Sequence, residues 1–163
     1  MHTYASALNL IGVTVPGHLV ADAEVPILTG PQAQGDLLVL PTTPPSSDDW
    51  QIVSATGVQV IHGEATGNTH WLHPGFDSPG VSWLPMTGRR HSEDDLAVGY
   101  LRVPHGQAAL LIHTDEHGAN GIGAGDYVLN RKRQAHVAFE GAPRTSRTPH
   151  PATSPLFSDL VDD

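Results

Sequence analysis

The sequence predicts an all-β chain: a small antiparallel β-sandwich or barrel with extended N- and C-terminal arms. Three observations predict it. The 163 residues include 17 glycines and 14 prolines, which break helices and suit short strands joined by turns. Several short runs either alternate apolar with polar side chains or are continuously apolar, as half-buried and fully buried strands do. No segment carries a convincing amphipathic helix pattern, in which apolar residues recur every three to four positions.

Three parts follow: an N-terminal arm (1–33), a β-domain (34–141) and a Pro/Ser/Thr-rich C-terminal tail (142–163). The arm is apolar but irregular, interrupted by Pro16, Gly17, Pro26, Gly30 and Pro31, with "IGVTVPGHLV" as a possible strand. It is expected to pack on its own domain or on a neighbour. "QGDLLVLPTT" (34–43) reads as the first clear strand, entered through a turn at Gly35-Asp36 and ended by Pro41. "GVQVIHGEATGNTHWLHPG" (57–75) reads as a strand pair joined by "GEATGN". In it Val58, Val60 and His62 point one way, with Gln59 and Ile61 opposite; Thr69, Trp71 and His73 share a face against His70 and Leu72. "VSWLP" (81–85), "LAVGYLRVP" (96–104), "QAALLIHTDEHG" (107–118) and "DYVLNRKRQAHVAFEG" (126–141) supply further strands. In the last, Tyr127, Leu129 and Arg131 oppose Val128 and Asn130. The tail is too poor in apolar residues to order itself alone, apart from a small apolar-acidic end.

Charge and composition exclude several functions. The net charge is −9 with eight Lys and Arg, and the sole basic cluster is Arg131, Lys132 and Arg133. Nucleic acid is therefore not an expected partner, since its phosphates call for clustered basic residues. There is no cysteine, which removes disulfides, thiolate metal sites and cysteine nucleophiles. No apolar run approaches the roughly 18 residues of a membrane span. The opening residues lack the basic and apolar regions of a signal peptide, so neither a membrane nor secretion is expected.

The chemistry-bearing residues concentrate in "HTDEHGANGIGAGDY" (113–127). Neutral imidazole is a common metal ligand, and the chain has eleven histidines. His70, His113 and His117, with Glu116 supplying an oxygen, make the candidate set for a divalent metal such as Zn; His62 and Asp115 are further candidates. On a straight strand His113 and His117 would lie about 13 Å apart, so a shared ion needs a turn between them. The competing reading is that the histidines line turns and interfaces and that the protein carries no cofactor. "GIGAGD" (121–126) lacks a following helix and a phosphate-loop lysine, so it reads as a tight β-connection. No Gly-x-Ser-x-Gly elbow is present. Glu93, Asp94 and Asp95 lie in a polar loop with Arg89, Arg90 and His91. No catalytic residue is assigned.

Trp50, Trp71 and Trp83 are expected in the core or as interface anchors. Trp71 and Trp83, with Leu156, Phe157 and Leu160 of the tail, are the candidate interaction residues. "GEATGNTHWL" (63–72), "LRVPHGQAALLIHTDEHGANGIGAGDY" (101–127) and "RKRQ" (131–134) resemble a family of small uncharacterised β-proteins from actinobacteria and their phages. The resemblance covers roughly half the chain and implies a compact β-domain in which His70, His113 and His117 matter. It implies no activity, and both ends of the chain depart from it.

Together these features lead to the expectation of a non-enzymatic accessory protein docked on a larger assembly. A phage virion is the leading candidate, with the protein as a decoration or minor structural protein in many copies or as a homo-oligomer. It would reside in the virion, or in the host cytoplasm during assembly. A histidine-based metal-binding β-barrel is the alternative.

Overall fold

The computed structural model describes residues 1–61, 69–86 and 96–132. In chain order these form α1 (Tyr4–Asn9), β1 (Ile27–Leu28), β2 (Gln32–Gln34), β3 (Leu37–Pro41), β4 (Gln51–Ile52), β5 (Val58–Ile61) and β6 (His70–His73). There follow β7 (Ser82–Pro85), β8 (Ala97–Val103), β9 (Ala109–His113), β10 (Ala119–Ile122) and β11 (Gly125–Arg131). They belong to one unit, Met1–Arg133, which is distinct from Gln134–Asp163.

The strands build two sheets, ordered β1-β10-β9-β6-β5 and β2-β3-β11-β8-β7-β4. Every pairing is antiparallel except β1 with β10. Both sheets are open, so the architecture is a sandwich and the barrel alternative falls. Leu72, Ala109, Leu111 and Ile122 of the first sheet meet Leu37, Val39, Trp83, Leu101, Val103, Tyr127 and Leu129 of the second. Burial of this apolar layer is the main stabilising term of such a fold.

The pleat explains most strands directly. Leu37 and Val39 are fully buried while Leu38 and Leu40 are partly covered. Tyr127 and Leu129 face inward as the alternation predicts. β9 is buried along its whole length. Its Ala109 and Leu111 enter the inter-sheet core, while Leu110 and Ile112 enter a second cluster on the other face. A central strand covered on both faces reads as a continuous apolar run, which is the pattern of "ALLIH".

The second cluster is closed by the first 25 residues. Ala7 and Leu8 of α1 and Val25 are buried against Leu110, Ile112 and Ala119, with Tyr4, Ile11, Val13, Val15 and Trp71 packed around them. The arm therefore folds back on its own sheet. It contains a helix, which the sequence reading did not foresee, capped by a reciprocal Thr3–Ser6 box. "IGVTVPGHLV" forms turns and no strand.

Two further corrections concern register and glycine. A bulge between Gln59 and Ile61 lets Val58, Val60 and Ile61 all pack on the inter-sheet core, where strict alternation had put Ile61 on the opposite side. Residues 119–122, including Gly121 and Ile122 of the expected glycine connection, form the paired strand β10, and Gly125 and Asp126 open β11. A Cβ on Gly121 would lie 2.7 Å from the Pro26 carbonyl oxygen and 3.0 Å from the Ile27 Cα. Glycine is needed there because another backbone approaches too closely for a side chain. The "GEATGN" connection, the loop after Met86 and the tail lie outside the described residues.

Candidate functional site

The site is built from a cross-strand pair. His70 and His113 are register partners on β6 and β9, one pair beyond His70's neighbour row of Trp71 and Ile112. Both point into the sandwich on the face of Leu72 and Leu111, so they close the end of the inter-sheet core. Each is 1% exposed. Their ring centroids are 4.6 Å apart, edge to face.

The turn after β9 brings in the third ring. The His113 N–H donates to the Gly118 carbonyl at 2.9 Å, and Gly118 takes φ +64°. The Thr114 N–H donates to the Thr69 carbonyl at 3.1 Å, while the Thr69 N–H donates to Thr114 Oγ1 at 3.2 Å. His117 thereby folds back to 4.7 Å from His113, ring centre to ring centre. The turn that the spacing required is present. Gly35, in the β2–β3 turn with φ +52°, lies over the cluster: a Cβ there would stand 2.8 Å from His117 Cδ2 and 3.4 Å from His70 Nε2.

Hydrogen bonding fixes the tautomers. His70 Nε2 lies 3.2 Å from the Gln34 carbonyl oxygen. A carbonyl accepts only, so Nε2 carries the proton and the buried, unpartnered Nδ1 keeps a lone pair. His113 Nδ1 accepts the Asp115 N–H at 3.1 Å, which puts its proton on Nε2. His73 does the same on the outer face, its Nδ1 accepting the Gly75 N–H at 3.0 Å. Both rings thus cap the backbone two residues on, in the manner of Asx turns, and end their strands there.

Burial holds the His70 pKa down at about 4, with the His113 ring as the next cause. Burial also lowers His113, then His117 does so, against the raising effects of Asp115, Asp36 and Glu116. These are neutral imidazoles at the rim of a dry core.

The structure brings His70, His113 and His117 together and leaves Glu116 exposed on the turn. Among the described residues no three His, Asp or Glu side chains stand so as to hold a metal ion. His62 lies outside the described residues, as do Glu93, Asp94 and Asp95. Of the candidate interaction residues, Trp83 is a core residue, 4% exposed, and is unavailable to a partner. Trp71 is half-buried beneath the first 25 residues. Leu156, Phe157 and Leu160 lie outside the described residues.

Sequence reasoning missed two features. One is an amide network beside the histidines: Gln34 Nε2 donates to the Leu111 carbonyl at 2.9 Å and to Asn120 Oδ1 at 3.2 Å, and Gln32 Nε2 donates to the Gly121 carbonyl at 3.2 Å. It ties the two sheets at one edge. The other is a cleft of about 290 Å³ lined by Met1, His2, Ile27, Phe76, Asp77 and Gln107. His2 stacks on Phe76 at 4.2 Å. Met1 (95%), Ile27 (51%) and Phe76 (62%) are exposed around it. No sequence periodicity marks this cleft, because its residues come from separate loops.

A family model described as a domain of unknown function (DUF8820) matches residues 33–132. No curated protein and no solved structure matches the chain. No helix among the described residues is long and apolar enough to cross a membrane.

Proposed function

The chain thus belongs to the DUF8820 family, and on that premise we propose that it is a non-enzymatic accessory protein that docks on a larger protein assembly. The observation that carries this reading is the cleft with its exposed apolar rim of Met1, Ile27 and Phe76. Apolar side chains gathered at one exposed place, with polar neighbours such as Asp77 and Gln107, are the mark of a protein-binding surface. The histidines fit the same reading, because one ring nitrogen each of His70, His113 and His73 is engaged with a backbone group. A phage particle is the assembly we put first, on the β-rich core, the Pro-rich ends, the acidic charge and the absence of cysteine. The protein would then be a decoration or minor structural protein of the virion, present in many copies.

Sedimentation of a native lysate of the source, read by mass spectrometry, tests it. The unaltered protein is expected to travel with a large particle. Phe76→Glu and Ile27→Glu are expected to move it to the slow fractions while leaving its thermal midpoint in place. An unaltered protein found alone in the slow fractions would overturn the reading.

A further inference from the structure

Residues 1–25 stand apart from the sheet they cover. Among the described residues, every backbone hydrogen bond they make is internal to the segment. Tyr4 N–H donates to Ala23, Ala5 N–H to Ala21 and Val25 N–H to His2, with distances of 2.7–3.0 Å. Thr3 and Glu24 form a bridge that closes the segment on itself. The pattern changes abruptly at Pro26, whose carbonyl accepts from Gly121 at 3.1 Å, and the chain beyond it joins the sheet as β1. The segment is thus a small self-bonded unit held on the sheet by side-chain packing: Ala7 and Leu8 on Leu110, Ile112 and Ala119, and Leu19 and Tyr4 over the bare Cα of Gly118. It also lies outside the matched residues 33–132.

We propose that residues 1–25 are an exchangeable arm, and that the outer face of the five-stranded sheet accepts this same segment from a second copy of the chain. The seat is already shaped for that occupant, since the cis arm fills it. An exchanged arm makes the same apolar contacts and keeps the same internal hydrogen bonds. The two states therefore differ only in the loss of free motion on pairing and in the geometry of the hinge. The hinge suits the change. Pro26 has no N–H to lose, and the residue before a proline favours the extended backbone that a reaching arm needs. Exchange then wins where copies are held close together, because local concentration replaces dilution. This inference does not rest on the docking reading above, although Met1 and His2 of the arm also line the cleft.

The absence of cysteine gives a clean test. Two full-length chains are made, one with Ala7→Cys and one with Ala119→Cys, residues buried in the same cluster. After they are mixed at high concentration, a short thiol cross-linker is expected to shift the band from monomer to heterodimer. A control pair of Ala7→Cys with Val20→Cys, whose position is 71% exposed, reads chance collision. Heterodimer at the control level overturns the proposal. The unaltered chain provides a second reading that is independent of how the variants fold. Sedimentation velocity is expected to find a dimer at high concentration, returned to monomer by excess synthetic peptide of residues 1–25. A monomer throughout, or a dimer indifferent to the peptide, overturns it as well.

Discussion

His70 and His113 face each other directly across β6 and β9, with ring centroids 4.6 Å apart and each 1% exposed. Two imidazoles so placed cannot both take protons cheaply, since each charge is desolvated and repels the other. The folded pKa of His70 is about 4 against an ordinary 6.5, with burial the largest cause. The unfolded chain therefore binds the proton more readily. Stability from this group is complete above about pH 6.5, falls as the pH drops, and levels off below about pH 4. The loss amounts to about 3 kcal/mol. Urea midpoints measured from pH 7 to pH 4 should fall accordingly, and His70→Asn should flatten the curve. A flat profile in the unaltered protein would remove the account.

Gly121 is expected to tolerate no side chain. Gly121→Ala sets a Cβ against the Pro26 carbonyl and the Ile27 backbone, neither of which can rotate away. The β1–β10 pairing must open, at a cost of about 1–3 kcal/mol. Denaturant titration reads the loss, and amide exchange should speed up at Gly121 and Gly123.

Leu8→Ala removes a fully buried side chain from the cluster under the arm. Deletions of this kind cost about 2–5 kcal/mol when the cavity cannot collapse. Because only packing holds the arm on the sheet, the loss should also show as faster proteolysis within residues 1–25. Cleavage at the wild-type rate would contradict that arrangement.

Arg102 and Asp126 form an ion pair at 2.8 Å, and the guanidinium lies 4.5 Å from the Trp50 ring centre. The pair is exposed to solvent, so it is screened. Arg102→Ala is expected to shift the folding free energy by at most about 1 kcal/mol. A larger change in thermal unfolding would show that Trp50 depends on the stacking.

Metal removal is expected to do nothing. The His113 Nδ1 lone pair is committed to the Asp115 N–H, and the described side chains do not converge on an ion. Dialysis against a chelator should leave the thermal midpoint unchanged. A drop reversed by zinc, and absent in His70→Asn, would return the cluster to a metal-binding role.

Most of the sandwich was legible because burial imposes a pleat. β3, β6, β7, β8, β9 and β11 lie where alternating or continuous apolar runs put them. β1, β2 and β4 are two or three residues long, too short to show a period, and β2 presents two buried glutamines where an apolar residue is expected. β10 was hidden by Gly121, a residue chosen for close approach and not for strand propensity. α1 has six residues, below the length at which a helical period can be read. The histidine cluster was half legible. Residue types and the need for a turn were visible, but the pairing of His70 with His113 depends on the register between strands distant in sequence. Trp83 was visible as an anchor, yet its burial over Gly99 follows from the β7–β8 register alone.

The parallel pairing of β1 with β10 also orders events during synthesis. Ile27 meets Gly121, so the segment made first finds its place only after one of the later hairpins has formed. Closing so long a loop is slow compared with forming the β9–β10 hairpin. A nascent chain therefore carries residues 1–25 undocked until β9 and β10 have been made, with the apolar side chains of α1 open to whatever polypeptide is nearest. On a polysome that is another copy of itself.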